Sequence, residues 1–275
     1  MKLGVLDFFS DIFNFLKSGS VLGIDIGTAS IKMVEISKKG DRPRLENYGI
    51  LETKNYIEHP NEAIQTSSLK LSEGDTAELL KLLLREVKPK AKAVVVSIPA
   101  FVSFITPLEM PALSPEETSK SIKFQAKQYI PIPTSEVSLD WFKIEEFQNE
   151  KGELYQRLIL IGIPNEAIKR YKKIFKEAEL KIIALEIESF SLVRALNRAD
   201  DVLTLTVDIG AEATNVIVSK NGILKYSSET DYGGIYITQA LSRSLGISAL
   251  RAEELKRRRG LTGKGGEMEL STLLI

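Results

Sequence analysis

Two short strings constrain this chain more than any other feature: Asp25-Ile26-Gly27 and Asp208-Ile209-Gly210. Each string ends an apolar stretch rich in β-branched residues, and each is followed by a second stretch of the same kind. Each therefore predicts a β-hairpin with glycine in its turn. One such turn is a common way to reverse a chain, but two of them predict duplicated halves that face one another.

The side chains around these turns are suited to a magnesium-bound phosphate. Thr28 and Ser30 are hydroxyl donors, Lys32 is a cation, and Asp25 is able to hold a magnesium ion through its water ligands. The second turn repeats the aspartate and the glycine and adds Thr214. Because backbone amides at a glycine turn also bind phosphate, we predict a nucleotide between the two hairpins.

The composition excludes several kinds of chemistry. The 275 residues contain no cysteine and one histidine, His59, which excludes a disulfide framework, a thiolate zinc site and a cysteine nucleophile. The 37 basic residues balance 37 acidic ones, so no global charge attracts nucleic acid. No apolar run approaches the roughly 20 residues that cross a bilayer. Any catalysis or ligand binding must therefore use carboxylates, hydroxyls, lysines, backbone amides and a hard metal ion.

Hydrophobic patterns divide the chain into five segments. Residues 1–20 hold an amphipathic helix and a linker, and residues 21–76 hold three strands with the first hairpin. Residues 77–178 form a compact α+β insertion, residues 179–200 a connecting strand and helix, and residues 201–275 the second hairpin and two helices.

The N-terminal helix is expected to dock on protein, either on this chain or on a partner. Its apolar stripe consists of Val5, Phe9, Ile12 and Leu16. Helices that lie on a membrane surface usually carry several basic residues, whereas the few lysines here only balance aspartates.

This order of elements resembles the actin-like ATPase superfamily, which includes DnaK-type chaperones, sugar kinases and the filament proteins FtsA and MreB. The resemblance implies an α/β (α+β) fold of two ribonuclease-H-like lobes that bind ATP and Mg²⁺, with Asp25 and Asp208 flanking the metal. The phosphate hairpins of the superfamily are matched by Asp25, Gly27, Thr28 and Ser30 and by Asp208, Gly210, Ala213, Thr214 and Asn215.

The resemblance assigns roles to further residues. Glu188 matches the acid that positions the attacking water, although a carboxylate is also favourable at any helix N-terminus. Gly233 and Gly234 match a close approach of backbone to phosphate or ribose. Glu253 and Lys256 match ribose and adenine contacts, and a solvated ion pair three residues apart is the alternative. At most a slow ATPase is implied.

Within the superfamily, the landmarks are most similar to the PilM family of type IV pilus and related type II secretion assembly platforms. They include VLGIDIGTASIKMVEI, the LEMPALSPEE turn into a helix, the YIPIP stop and DIGAEATNVIV. The insertion corresponds to a subdomain that FtsA and PilM carry. That family continues to a Gly-Gly turn over the adenine, so the resemblance implies a second lobe that is incomplete at the C-terminal end.

The function implied is an ATP-binding cytoplasmic scaffold at the inner face of the cytoplasmic membrane. Its partner would be a PilN-like membrane protein, whose cytoplasmic peptide would bind between the first strands and the insertion. Phe101, Phe104 and the edge from Pro131 to Pro133 are the expected wall of that groove. Two alternatives remain: an FtsA-like filament-forming cell-division protein, and a small-metabolite kinase of the same superfamily.

Overall fold

The computed structural model describes residues 19–39, 42–53, 72–196 and 201–260. The predictions for the N-terminal helix, for His59 and for the segment after residue 260 lie outside the described residues. In chain order the elements are β1 (Ser20–Ile26), β2 (Ser30–Lys39), β3 (Arg42–Glu52), α1 (Glu73–Val87), β4 (Ala93–Ile98), β5 (Phe104–Pro111), α2 (Pro115–Tyr129), β6 (Val137–Gln148), β7 (Leu154–Pro164), α3 (Asn165–Glu177), β8 (Lys181–Ile187), α4 (Glu188–Ala195), β9 (Leu203–Ile209), β10 (Thr214–Lys220), β11 (Ile223–Thr230), α5 (Gly234–Leu245) and α6 (Ala249–Arg259).

The chain divides into two compact units. The first unit contains the described residues up to 204 together with residues 217–227. The second contains residues 205–216 and the described residues from 228 onward. Strands β9, β10 and β11 form a three-stranded sheet in the order β11-β10-β9, and each of them has residues in both units.

The main sheet of the first unit has the order β3-β2-β1-β4-β8. Strands β1, β2 and β3 form the antiparallel meander that the sequence predicts, while β4 and β8 run parallel to β1. Parallel neighbours require crossover connections, and α1 and α3 lie in those connections. The parallel direction brings the carboxyl ends of β1, β4 and β8 to one edge of the sheet.

A second sheet, in the order β5-β7-β6, lies in the crossover from β4 to β8. Helix α2 covers one of its faces, where Ile122 and Ala126 pack against Leu158 and Leu160. The predicted turn into a helix ends in a capping box at the start of α2, since the Ser114 side chain accepts from the Glu117 amide and the Glu117 side chain accepts from the Ser114 amide. Alternate residues of β7, such as Ile159 and Ile161, belong to the main core on the other face.

The predicted insertion, residues 77–178, extends beyond this second sheet. Strand β4 pairs with β1 in the main sheet, and helices α1 and α3 contact each other and that sheet. Phe101 and Val102 belong to a single 3-10 turn, and β5 begins at Phe104. Hydrophobic pattern did not separate these parts, because β4 of the main sheet and β7 of the second sheet are both largely apolar.

A buried carboxylate ties the meander together at the end opposite the turn of the first hairpin. Glu35 of β2 is 1% exposed. It accepts hydrogen bonds from Ser20 Oγ at 2.5 Å, Asn47 Nδ2 at 2.6 Å, and the amides of Lys90 at 3.0 Å and Ala91 at 2.8 Å. Burial by itself raises the pKa of Glu35, but these four bonds together lower it below the usual value.

We expect Glu35→Gln to destabilise the first unit by about 1–3 kcal/mol at pH 7, because glutamine has a single acceptor oxygen and turns its NH₂ group towards donors. Urea denaturation measures the loss. The ionised carboxylate stabilises the folded chain above the ordinary glutamate pKa of 4.5, and this contribution is lost as the pH falls through the lowered folded value. The variant should therefore lose less stability on acidification than the wild type does. Glu86→Gln, at an exposed position of α1, is the control, and equal urea midpoints for Glu35→Gln and wild type at pH 7 would contradict the assignment.

Candidate functional site

The first predicted turn joins β1 to β2 and is closed by backbone hydrogen bonds. The Gly27 amide donates to the Ser30 carbonyl at 3.0 Å. The end of β3 fixes the same turn, since the Thr53 amide donates to the Ala29 carbonyl at 2.9 Å and Thr53 Oγ1 donates to the Thr28 carbonyl at 3.2 Å. Sequence reasoning missed Thr53, because no local pattern indicates which loop residue reaches back to the turn.

Two of the predicted side chains beside this turn face each other across the strands. Asp25 is the register partner of Lys32, and Lys32 Nζ lies 3.3 Å from Asp25 Oδ2. The side chains are 33% exposed for Asp25 and 56% for Lys32. Exposed ion pairs contribute little to stability, so a metal or phosphate can compete with this one at small cost.

Asp25 and Glu188 both lie where parallel strands of the main sheet end. Asp25 is the penultimate residue of β1, and Glu188 directly follows β8 as the first residue of α4. The hydroxyl of Tyr171 is buried on α3, and its pKa is raised by burial and further by the negative charges of Asp25 and Glu188. The charges of Asp25 and Glu188 therefore both raise the pKa of the same buried tyrosine hydroxyl. Ligands of open α/β sheets bind at this carboxyl edge.

Glu188 also has a structural contact. Its Oε1 accepts a hydrogen bond of 2.9 Å from the amide of Ala100, in the 3-10 turn between β4 and β5. The position of Glu188 is therefore compatible with both predicted roles. One is a carboxylate that is favourable at a helix N-terminus, and the other is an acid that positions a reacting water.

The second predicted turn, in the second unit, repeats the backbone geometry of the first. The Gly210 amide donates to the Ala213 carbonyl at 2.8 Å, as Gly27 does to Ser30. Thr214 Oγ1 donates to the Tyr232 carbonyl at 2.6 Å, and Asn215 is 4% exposed. Asp208 is half-buried one residue before the end of β9.

Gly233 and Gly234 bring the start of α5 against this turn. The Gly234 amide donates to the Gly210 carbonyl at 2.9 Å, and the Ile235 amide donates to the Ala211 carbonyl at 2.8 Å. A Cβ atom on Gly233 would lie 2.6 Å from the Ala211 carbonyl oxygen. At these glycines the backbone of α5 approaches the backbone of the turn closely, and the turn carbonyls accept from the first amides of α5. The predicted approach to phosphate or ribose stays a prediction.

Glu253 and Lys256 of α6 are held in a network within the second unit. Lys256 Nζ donates to the Gly234 carbonyl and to Thr238 Oγ1, each at 2.9 Å, and lies 2.6 Å from Glu253 Oε2. Burial raises the pKa of Glu253, but hydrogen bonds from Lys256, Thr238 and Arg257 bring it down to about 2. The ion pair between these residues is present, but it is partly buried rather than solvated as the alternative had it, and it anchors α6 to the start of α5.

The donor set suits magnesium better than a tightly ligated metal. Across residues 19–39, 42–53, 72–196 and 201–260, no cluster of three or more acidic or histidine side chains is gathered in ligating positions. Asp25 and Asp208 offer single carboxylates, and Mg²⁺ keeps several waters and takes only one or two carboxylates from a protein. None of the helices in those ranges is long and apolar enough to span a membrane.

Solved structures resemble this fold over most of the chain. The chain aligns with a chain of the PilM-PilN type IV pilus biogenesis complex at a TM-score of 0.73 and 23% identity, over 92% of this chain and 74% of that one. For the ethanolamine utilization protein EutJ from Carboxydothermus hydrogenoformans, the TM-score is 0.53 at 14% identity, over 98% and 75% of the two chains. The predicted actin-like ATPase fold is confirmed.

Sequence comparison adds the family. The cell division protein FtsA of Enterococcus faecalis is 25% identical over 87% of this chain, which spans only 58% of that relative's length. A family model described as "Type IV pilus assembly protein PilM" matches residues 23–270. The match covers most of the 275 residues, and the chain therefore belongs to the PilM family of type IV pilus assembly proteins.

Proposed function

We propose that this chain is a nucleotide-dependent scaffold of a type IV pilus, or related type II secretion, assembly platform. It would bind Mg-ATP and the cytoplasmic peptide of a PilN-like inner-membrane protein, which would hold it at the inner face of the membrane. The observation that carries the proposal is the pair of acids, Asp25 and Glu188, at the carboxyl edge of the main sheet. Family membership supports the platform, and the likeness to a chain of the PilM-PilN complex supports the partner.

Nucleotide binding would use the two glycine turns. Asp25 and Asp208 would hold Mg²⁺ through water, while Thr28, Ser30, Thr214 and turn amides would contact phosphate. The bound ion would neutralise phosphate charge. Turnover would be slow, because Glu188 is the one acid assigned to position water and its carboxylate is partly engaged by the Ala100 amide.

The same Ala100 contact offers a path from nucleotide to partner. Ala100 is followed by Phe101, which is 48% exposed and is our candidate for the groove wall. A ligand that draws the Glu188 carboxylate away would release the Ala100 amide and shift this 3-10 turn. Peptide affinity would then depend on the nucleotide, through a coupling that is reciprocal.

Asp140 of β6 is a further candidate for contact with the peptide, one that sequence reasoning did not identify, and it lies on the face of the second sheet opposite Phe104. Its register partner is Ile161, itself paired with Ile105, so the three residues cross the second sheet on the face that packs against the main core. Burial raises the pKa of Asp140 to about 6, despite a hydrogen bond from the Trp141 amide. A half-buried acid kept at this cost suits a functional contact, and we assign it a hydrogen bond to a donor of the bound peptide.

An FtsA-like role in filaments is the second candidate, and the similarity to FtsA favours it. Sedimentation with and without Mg-ATP separates the two: a scaffold stays in the supernatant, whereas a filament pellets with nucleotide.

We expect saturating Mg-ATP to raise the free energy of unfolding by about 2.7 kcal/mol at about 100 times its Kd. Asp25→Asn and Asp208→Asn should each raise the Kd by removing an anionic anchor for the metal. Thermal unfolding over a nucleotide series measures this, with Asp231→Asn, at an exposed position, as the control. If Mg-ATP leaves the wild-type melting temperature unchanged at every concentration, the nucleotide proposal is wrong. Fast steady-state hydrolysis that survives Glu188→Gln would remove Glu188 from its role.

We expect Gly233→Ala to destabilise the second unit by about 1–3 kcal/mol, because the added methyl meets the turn backbone. Gly234→Ala is the matched control, since the nearest atom to its Cβ would be the Lys256 ammonium at 3.3 Å, compared with backbone atoms at 2.6 Å for Gly233. Hydrogen exchange in residues 228–246 reports the difference. Equal protection in the two variants would show that the approach at Gly233 is not constraining.

Asp140→Asn should stabilise the free chain and weaken peptide binding. Because the folded pKa of about 6 exceeds the ordinary 3.8, ionisation costs stability as the pH rises between these values. The variant should therefore melt higher than wild type at pH 7.5 and at a similar temperature at pH 3.5. Fluorescence anisotropy with a labelled PilN-type peptide gives the affinity, with Glu150→Gln at the exposed β6–β7 turn as the control. A higher melting temperature with an unchanged affinity for the peptide would show that Asp140 makes no contact with it.

A further inference from the structure

A shallow basic pocket lies on the first unit, away from the residues assigned to nucleotide or peptide. Its volume is about 440 Å³. Four lysines from three parts of the chain line it: Lys92 before β4, Lys172 and Lys176 on α3, and Lys181 at the start of β8.

The pocket lies at the amino ends of two parallel strands. The Lys181 amide donates to the Lys92 carbonyl at 2.8 Å, and Lys181 is the register partner of Ala93. Because β1, β4 and β8 are parallel, the acids Asp25 and Glu188 lie at the opposite edge of the same sheet. Occupancy of this pocket is therefore sterically independent of the proposed nucleotide contacts.

The lysines of the pocket are not neutralised within the described part of the chain. None of their four ammonium groups forms a salt bridge there, and Glu179 is the single acid in the lining. Lys173, the neighbour of Lys172 on α3, differs because it pairs with Glu73 at 2.7 Å. Four lysines beside a single acid leave an excess of positive charge, which attracts an anion from solution.

The floor of the pocket is apolar. Leu180, 7% exposed, and the half-buried Ile182 line it together with the aliphatic stems of the lysines. The lining has no aromatic ring on which a base would stack and no arginine fork that would clamp a free phosphate in two directions. Point charges around an apolar floor suit an anionic headgroup attached to an apolar body.

We propose that this lysine pocket binds the phosphate headgroup of an anionic phospholipid, and so orients the first unit on a membrane surface. The contact is electrostatic and individually weak. It would act together with a membrane-bound partner, because two linked contacts raise each other's effective concentration.

The test is co-sedimentation of the full chain with vesicles of phosphatidylcholine alone or with roughly one third phosphatidylglycerol. We expect binding only to the anionic vesicles, falling steeply between low and physiological salt. The triple variant Lys172→Gln/Lys176→Gln/Lys181→Gln should lower the partition constant by roughly a hundredfold, at about fivefold for each lysine. A matched control, Lys120→Gln/Lys123→Gln/Lys127→Gln on the exposed face of α2, removes the same charge and should leave most of the binding intact.

Four outcomes would overturn the proposal. The first is that wild type does not bind anionic vesicles, and the second is that the two triple variants lose binding equally, which would indicate unspecific attraction. The third is that Phe9→Glu abolishes binding while the pocket variant retains it, which would assign the contact to the N-terminal segment. The fourth is that the wild type binds soluble glycerol phosphate through the pocket lysines while phosphatidylglycerol vesicles do not compete for it, which would assign the pocket to a soluble phosphate. Circular dichroism confirms that both triple variants are folded.

Discussion

The parallel pairing of β1, β4 and β8 is the constraint on which the first unit depends. The register runs from Asp25 through Ser97 to Glu186, so the ends of three strands that are distant in sequence meet at one edge. Each parallel pair requires a crossover, and the longer one accommodates the whole second sheet with α2. At the opposite end, the four hydrogen bonds to Glu35 connect β1, β2, β3 and the segment before β4, which fixes the sheet from which Asp25 projects.

The local chemistry of the sequence predicted most elements of this fold. The three-stranded meander, the capping box at Ser114 and the glycine turns after β1 and β9 depend on residues a few positions apart, and all are present. The extent of the insertion was not predictable in the same way. Long-range pairing with β1 and β8 decides which sheet β4 joins, and the local pattern of its six residues does not reveal those partners.

The site residues that sequence reasoning missed are also determined by long-range packing. Thr53 and Asp140 have partners or neighbours set by other strands, so no motif contains them. Glu35 did leave a signal. It continues the alternation of Ile31 and Met33 on the buried face of β2, and a glutamate at such a position requires several donors around it. At Gly233 the glycine indicated a close approach of some group to the backbone, but the residue type alone does not indicate which atoms approach.

The two edges of the main sheet carry opposite chemistry, and parallel strands account for the separation. Acids lie where the strands end, and the lysines of the pocket, which form no salt bridge with any described residue, lie where β4 and β8 begin. A cationic metal complex and an anionic surface would therefore be attracted to different ends. The Glu188–Ala100 hydrogen bond is a contact that leads from the acidic edge to the exposed Phe101. Nucleotide and partner would therefore be coupled through that turn, whereas contact with the lysine edge would remain independent of both.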